Sequence, residues 1–205
     1  GTITCDIAER TRRGSVVGID ADESEVRSAT KLAVLRRLDN VRFRQASVYD
    51  LSNVAGEFDV AFAHGLLEHL AEPDRAVSEI RRALRPGGIL GVCSPDWGGF
   101  IVAPNTDAVV TAMETYMAIQ VRNGGDPMMG RKLGQLLERA GFRDIQMDAR
   151  YEVYETTGPI ANYLALQLRR EGEDVHAKEL VDWASNPVGM FAQAWISCTG
   201  TNPSP

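Results

Sequence analysis

The chain has 205 residues, 44% of them hydrophobic, which suits one ordinary domain with a sizeable core and excludes a disordered or fibrous class. A net charge of −6, with the arginines spread along the chain, offers no basic footprint for phosphates, so nucleic acid is not an expected partner. Cys5, Cys93 and Cys198 are odd in number, far apart and without metal-ligand spacing, and read as reduced thiols. No apolar run has the length to cross a bilayer and nothing at the start reads as a signal peptide, so a soluble, cytoplasmic protein with no membrane partner is expected.

Residues Gly1 to Arg10 carry Ile3, Ile7 and Ala8 at the spacing of one buried helix face. The turn Arg12-Arg13-Gly14-Ser15 leads into Val16-Val17-Gly18-Ile19-Asp20, a short apolar run ending in a carboxylate, which predicts a parallel strand buried on both faces. An acid at the carboxyl end of such a strand points into the crevice of an open α/β sheet, where it can accept hydrogen bonds from the vicinal hydroxyls of a ribose. The plainer role of Asp20 is to start the next helix. Asp22 and Glu25 form a candidate capping box for that helix, with Val26, Ala29 and Ala33 as its stripe. Val41 to Ala46 alternates as a strand and runs into the loop Ser47-Val48-Tyr49-Asp50, and Phe58 to Ala63 predicts a further buried strand.

Pro73 opens a helix whose inner face is Val77, Ile80 and Leu84, with Arg81, Arg82 and Arg85 at its carbonyl end and Pro86-Gly87-Gly88 as its stop. Ile89 to Cys93 is the next strand. This alternation predicts an α/β sheet wound with helices on both faces. Pro95 to Thr106 reads as a Gly-, Pro- and Trp-containing loop, followed by a helix with Val110, Met113, Met117 and Val121 on its face. A second helix holds Leu133, Leu136, Leu137 and Ala140 and is closed by Gly141. A strand over Phe142–Tyr154, helices over Pro159–Arg170 and His176–Ala184, and a last strand over Val188–Cys198 complete the pattern, with Thr199 to Pro205 as a frayed tail. The expected organisation is one domain over 1–205, with a cofactor half at 1–94, helical substrate-side insertions at 95–187 and the final strand at 188–198.

In their order and spacing these pieces resemble the class I S-adenosylmethionine-dependent methyltransferases, in particular the small-molecule branch. Gly1-Thr2-Ile3-Thr4 is similar to the last glycine of the family's G-x-G-x-G turn, and Val17-Gly18-Ile19-Asp20 to its second strand. Phe58 to Leu70 looks like the fourth strand with its following loop, and Leu84-Arg85-Pro86-Gly87-Gly88 like the turn before the fifth. The resemblance implies a Rossmann-like, doubly wound, mostly parallel sheet with an antiparallel final strand. It implies S-adenosylmethionine as cofactor, held by Gly1, by Asp20 at the ribose, by Ala21 beside the adenine, by Ser47 and Val48 in the adenine loop and by His64 at the methionine end. Ser47 stands where the family has an acid, so the amino group of the adenine meets an uncharged acceptor, and Asp50 either compensates or simply forms a turn. His69 and Glu68 are expected to serve structure. No metal is implied.

The family's central first strand and the opening glycines of its loop are absent from these residues. Loss of a central strand of about five residues removes roughly ten hydrogen bonds at about 1 kcal/mol each, so residues ahead of Gly1, or another segment, are expected to fill its place. Methyl transfer from a sulfonium is an in-line displacement needing position and desolvation, with a base where the nucleophile holds its proton tightly. Candidates for that base are His64, Asp96, Glu114 and Tyr116; candidate pocket walls are Trp97, Phe100, Met113, Tyr116 and Met117, joined by Met128, Met129 and Tyr163, all equally suited to ordinary core packing. The expected acceptor is a small molecule with an O, N or C nucleophile. Two other classes fit less of the pattern: a methyltransferase-like scaffold without catalysis, and an NAD(P)-dependent dehydrogenase, against which stands the absence of any tyrosine with a lysine four positions on.

Overall fold

In a computed structural model the described residues are 1–11, 13–52 and 58–203. Arg12 of the expected turn and Ser204 and Pro205 of the expected tail lie outside them. Helix α1 (Thr2–Arg10), strand β1 (Val16–Asp20), helix α2 (Glu23–Leu35) and strand β2 (Val41–Gln45) form a first unit. β1 and β2 pair in parallel from Val16 opposite Val41 to Asp20 opposite Gln45. A parallel pair needs a crossover, and α2 supplies it, started by Asp22, whose carboxylate accepts the N–H of Ser24 at 2.7 Å. α1 buries Cys5 and Ala8 while Ile3 is 42% exposed, so its inner face is rotated from the one the Ile3–Ile7 spacing predicts. Asn40 ties down the other end of α1, donating from Nδ2 to the carbonyls of Ala8 and Thr11 beside the start of β1. The Gly1 end of α1 therefore points toward the rim where Asp20 closes β1.

The second unit holds strand β3 (Phe58–His64), a 3-10 turn (Leu67–His69), helix α3 (Pro73–Ala83), strand β4 (Leu84–Ala103), helices α4 (Asp107–Arg122) and α5 (Met129–Arg139), strand β5 (Arg143–Val153), helices α6 (Gly158–Arg170) and α7 (Asp174–Ala184), and strand β6 (Met190–Thr201). Its sheet runs β3-β4-β6-β5, with β3 and β4 parallel and β6 antiparallel to both neighbours. This is the Rossmann-like, parallel-rich sheet with an antiparallel last strand that the pattern predicts, in two ladders rather than one. Among the described residues no strand pairs with the second edge of β1 or of β3.

That split corrects two expectations of burial. In β1 only Gly18 is buried, and in β3 Val60 and Phe62 are 61% and 49% exposed. Side chains alternate along a strand, so Ala61 and Ala63 face the main core while Val60 and Phe62, with Ile89 at 46% on the neighbouring strand, stand exposed on the opposite face. The expected loop over Pro95–Thr106 is in its first part strand, because β6 pairs with β4 as far as Ala103; the register breaks between Asp96 and Ile101, a bulge that takes up Gly98 and Gly99. Thr199 to Asn202, expected to fray, are held instead: β6 pairs through Thr201, and Asn202, 8% exposed, donates from Nδ2 to the carbonyl of Leu84 at 3.0 Å. On α4 the inner face is Val109, Met113 and Tyr116, and Val121 is 59% exposed.

Two cores follow. α3 and α5 pack on the covered face of the β3–β4 ladder around Leu90, Leu137 and Phe142, and α4, α6 and α7 form a helical layer around Phe191, Leu164 and Trp97. Ile19 and Val48 of the first unit pack against the former, so the two ladders share a wall.

Candidate functional site

The pairing of β1 with β2 brings Asp20 beside the loop that follows β2: the N–H of Ala46 donates to the carbonyl of Asp20 at 3.0 Å, and Gln45 Nε2 to that of Ala21. Asp20, Ala21, Ser47 and Val48 thus share one rim. Asp20 is exposed, and its Oδ1 accepts the N–H of Asp22 at 2.9 Å, so the carboxylate also performs its plainer task of opening α2. Ser47 Oγ accepts the N–H of Tyr49 at 3.2 Å. Asp50 forms a turn: the hydroxyl and N–H of Ser52 hold its carboxyl below the ordinary carboxylate range. Gly1 caps α1, and a Cβ built there would lie 2.4 Å from that of Ala29, a close approach only glycine permits.

His64 ends β3, and Tyr49, in the loop after β2, ties that loop to the start of α3. Its hydroxyl accepts the N–H of Glu72 at the start of α3, its carbonyl accepts from Arg75, and the guanidinium lies 5.1 Å above its ring. The imidazole of His64 is exposed and stacks on Trp195 of β6 at 4.6 Å, and Trp195 Nε1 donates to Glu152 at 2.8 Å. Nothing in the sequence near His64 announces Trp195; the contact depends on β4 pairing with β3 on one side and β6 on the other. Two hollows, of about 580 and 380 Å3, lie away from this rim, one between the start of α4 and the end of α7, the other between α2 and β2.

The candidate bases fare differently. Asp96 is 3% exposed and clasped by Arg131, whose Nε and Nη2 donate at 2.6 and 2.7 Å. Burial works to raise its pKa, yet the guanidinium and the N–H groups of Arg131 and Gly98 outweigh it and hold the carboxyl below its usual range. Burial, then Tyr163 and Glu68, push the Tyr116 phenol far above its ordinary value, so it keeps its proton. Glu114 is exposed. Of the expected pocket walls, Trp97, Met113 and Tyr116 belong to the helical core, where Tyr116 meets Trp97 edge-on at 4.8 Å, while Phe100 and Met117 pack against it. Met129 lies in the main core and Tyr163 is 45% exposed. The three cysteines are buried and unpaired with one another, and burial raises Cys198 to about 11, so none is poised as a thiolate. Among the described residues no group of three His, Cys, Asp or Glu side chains gathers as a metal site, and no helix is long and apolar enough to cross a membrane.

Residues 1–141 match a family described as "Methyltransferase domain". A "Probable S-adenosylmethionine-dependent methyltransferase" of Mycolicibacterium smegmatis is 30% identical over 174 residues, 84% of this chain and 57% of that protein. Among solved structures, a "putative methyltransferase" from Bacillus halodurans superposes with a TM-score of 0.65 at 16% identity, covering 98% of this chain and 89% of that one. The cyclase SpnF superposes at 0.59 with 24% identity, covering 97% and 71%. These structural likenesses concern the fold. The chain spans between 22% and 57% of the length of the curated relatives it matches.

Proposed function

We propose, from the premise that this chain belongs to the methyltransferase-domain family, that it binds S-adenosylmethionine along the rim of Gly1, Asp20, Ala21, Ser47, Val48 and His64 and directs methyl transfer to an O, N or C nucleophile of a small molecule. The observation that supports this reading most is the parallel pairing of β1 with β2, which brings Asp20 and Ala21 beside the loop of Ser47 and Val48, a loop that Tyr49 ties to the start of α3. The residues fit the cofactor's chemistry. Asp20 is a carboxylate with acceptor sites to spare beyond its bond to Asp22, as ribose hydroxyls require. The amino end of α1 turns its unpaired N–H groups and positive dipole toward the same rim, suited to a carboxylate. Ser47 offers the adenine a weaker, uncharged acceptor. Among the described residues the second edges of β1 and β3 have no strand partner, which leaves room for a further strand between them.

When bound, S-adenosylmethionine supplies a methyl group already activated for displacement. The protein's part is to hold the acceptor in line and keep water out. Trp195 stacked on His64 gives a flat wall beside the transfer point, and His64, at the end of β3, is the candidate base we favour, since Asp96 is taken by Arg131, Tyr116 holds its proton and Glu114 lies on α4. A second reading, a methyltransferase-like protein that binds without transferring, is favoured by the commitment of Asp96 to Arg131. Calorimetry with S-adenosylmethionine and with S-adenosylhomocysteine, on a chain with its natural upstream residues, tests the proposal. Binding of both is expected, and binding of neither would overturn it.

A further inference from the structure

Glu68 is 2% exposed, in the turn that follows β3. Its Oε2 accepts the hydroxyl of Ser94 at 2.8 Å, while Oε1 lies 3.9 Å from His69 Nε2, too far for a hydrogen bond. Oε1 instead faces Gly65: a Cβ built on that glycine would meet it at 3.6 Å and no other atom within 4 Å. Gly65 has φ +60 and donates its N–H to the carbonyl of Cys93, and the carbonyl of Glu68 accepts the N–H of Asp126 at 2.7 Å, so the segment is pinned from two sides. A buried carboxylate costs several kcal/mol of desolvation, and an apolar side chain of similar volume would serve the packing as well or better. Its charge also reaches Tyr116 and Cys93, opposing their ionisation. The Glu68 carboxyl group thus lies directly behind Gly65, the residue that follows His64.

We propose that Glu68 is a specificity-determining residue that favours the cationic sulfonium of S-adenosylmethionine over the neutral thioether of S-adenosylhomocysteine. The inference rests on the reading above, in which the methionine end of the cofactor lies at His64. During transfer the bond from sulfur to the methyl carbon would break with its electron pair left on sulfur, a lone pair of the acceptor would form the new bond to that carbon, and the positive charge would pass to the acceptor and leave as its proton to a base or to water, so the spent cofactor is a neutral thioether. A carboxylate held in low dielectric then loses its attraction to the spent cofactor, and product leaves more readily than substrate. Ser94 orients the carboxylate without altering its charge.

The test is the ratio of the two dissociation constants, measured by calorimetry on a chain with its natural upstream residues. Glu68→Gln is expected to lower the preference for S-adenosylmethionine about five- to tenfold. Glu68→Met, similar in length and needing no partner, should do the same and keeps the experiment open if the amide variant does not fold. His69→Ala, at an exposed side chain 3.9 Å from the carboxylate, should stay within about twofold of the parent ratio. A parent protein that binds both molecules, with a ratio unmoved in the neutral variants, overturns this role for Glu68 and leaves the cofactor assignment standing. A parent that binds neither overturns the cofactor assignment itself, and this role with it.

Discussion

The two ladders treat their polar groups in opposite ways. At the β1–β2 rim Asp20, Ser47 and Asp50 are exposed, and each closes a turn with a residue two positions on. At the β3–β4 rim Glu68, Ser94 and Asp96 are 2%, 1% and 3% exposed and are joined to partners far along the chain. A carboxylate in a solvated local turn can take on a ligand's hydroxyls at little cost, whereas a buried pair cannot be opened without stranding a charge. The difference assigns adaptable recognition to the first rim and fixed electrostatics to the second. The hydrophobic cores divide in the same sense: the first unit buries only small or medium side chains, Cys5, Ala8, Ala33 and Val41, while the second holds aromatic and leucine-rich clusters.

The largest expected effect tests where stability resides. Phe191 is 1% exposed and meets Tyr154 edge-on at 5.6 Å and Phe100 in a stack at 6.2 Å. Phe191→Ala should cost about 3 to 5 kcal/mol in denaturant unfolding, whereas Val41→Ala should cost no more than about 1 to 2. Equal losses would break the comparison. For ligand binding the order reverses: Asp20→Ala should weaken S-adenosylmethionine by about 1.5 to 3 kcal/mol in calorimetry, the scale of a charged hydrogen bond, while leaving the melting temperature nearly unchanged. Unaltered affinity would remove Asp20 from the site.

Much of this division was legible in the residues. Period-two and period-3.6 patterns located each strand and helix, and Pro73 and Gly141 marked a start and a stop that the structure keeps, whereas Leu84 and Arg85, expected to end the helix, and the Pro86–Gly88 stop already belong to β4. What escaped depends on partners distant in the chain. The stretch after Ser94 has the composition of a loop and becomes strand only because β6 pairs along it. Ile3 carries a helix-face spacing yet faces out, since α1 is oriented by Cys5 and Ala8 against α2 and β1. Asp96 looked available as a base, and no local signal pointed to Arg131, thirty-five positions away. His64 was legible as a strand end, but Trp195 reaches it only through the register of three strands.

The Asp96–Arg131 pair sharpens the comparison through pH. The folded carboxyl titrates below its unfolded range near 3.9, so its stabilisation is complete above about pH 4 and is lost as pH falls through the lower, folded value. Asp96→Asn should cost about 1 to 2 kcal/mol at neutral pH, less than a fully buried pair because the Arg131 side chain is 56% exposed and screened. Unfolding curves of the variant should converge on those of the parent in acid. A constant difference from pH 7 to pH 2 would mean that the carboxylate charge plays no part.

The smallest effect concerns a cap that belongs to the second unit yet is solvated like the first rim. Thr106 begins α4 with its Oγ1 accepting the N–H of Val109 at 3.4 Å, a long bond at an exposed position. Helix starts of this kind are worth about 1 kcal/mol, so Thr106→Ala should lower stability by about that much or less, and Thr106→Ser should restore it. The distinction between the rims then becomes quantitative. If burial rather than membership of a unit decides the cost, Thr106→Ala must fall below Asp96→Asn although both residues flank the same helical core; a loss as large as that of Asp96→Asn would show that the second unit is rigid to its surface, and that its polar groups resist rearrangement for reasons other than their burial.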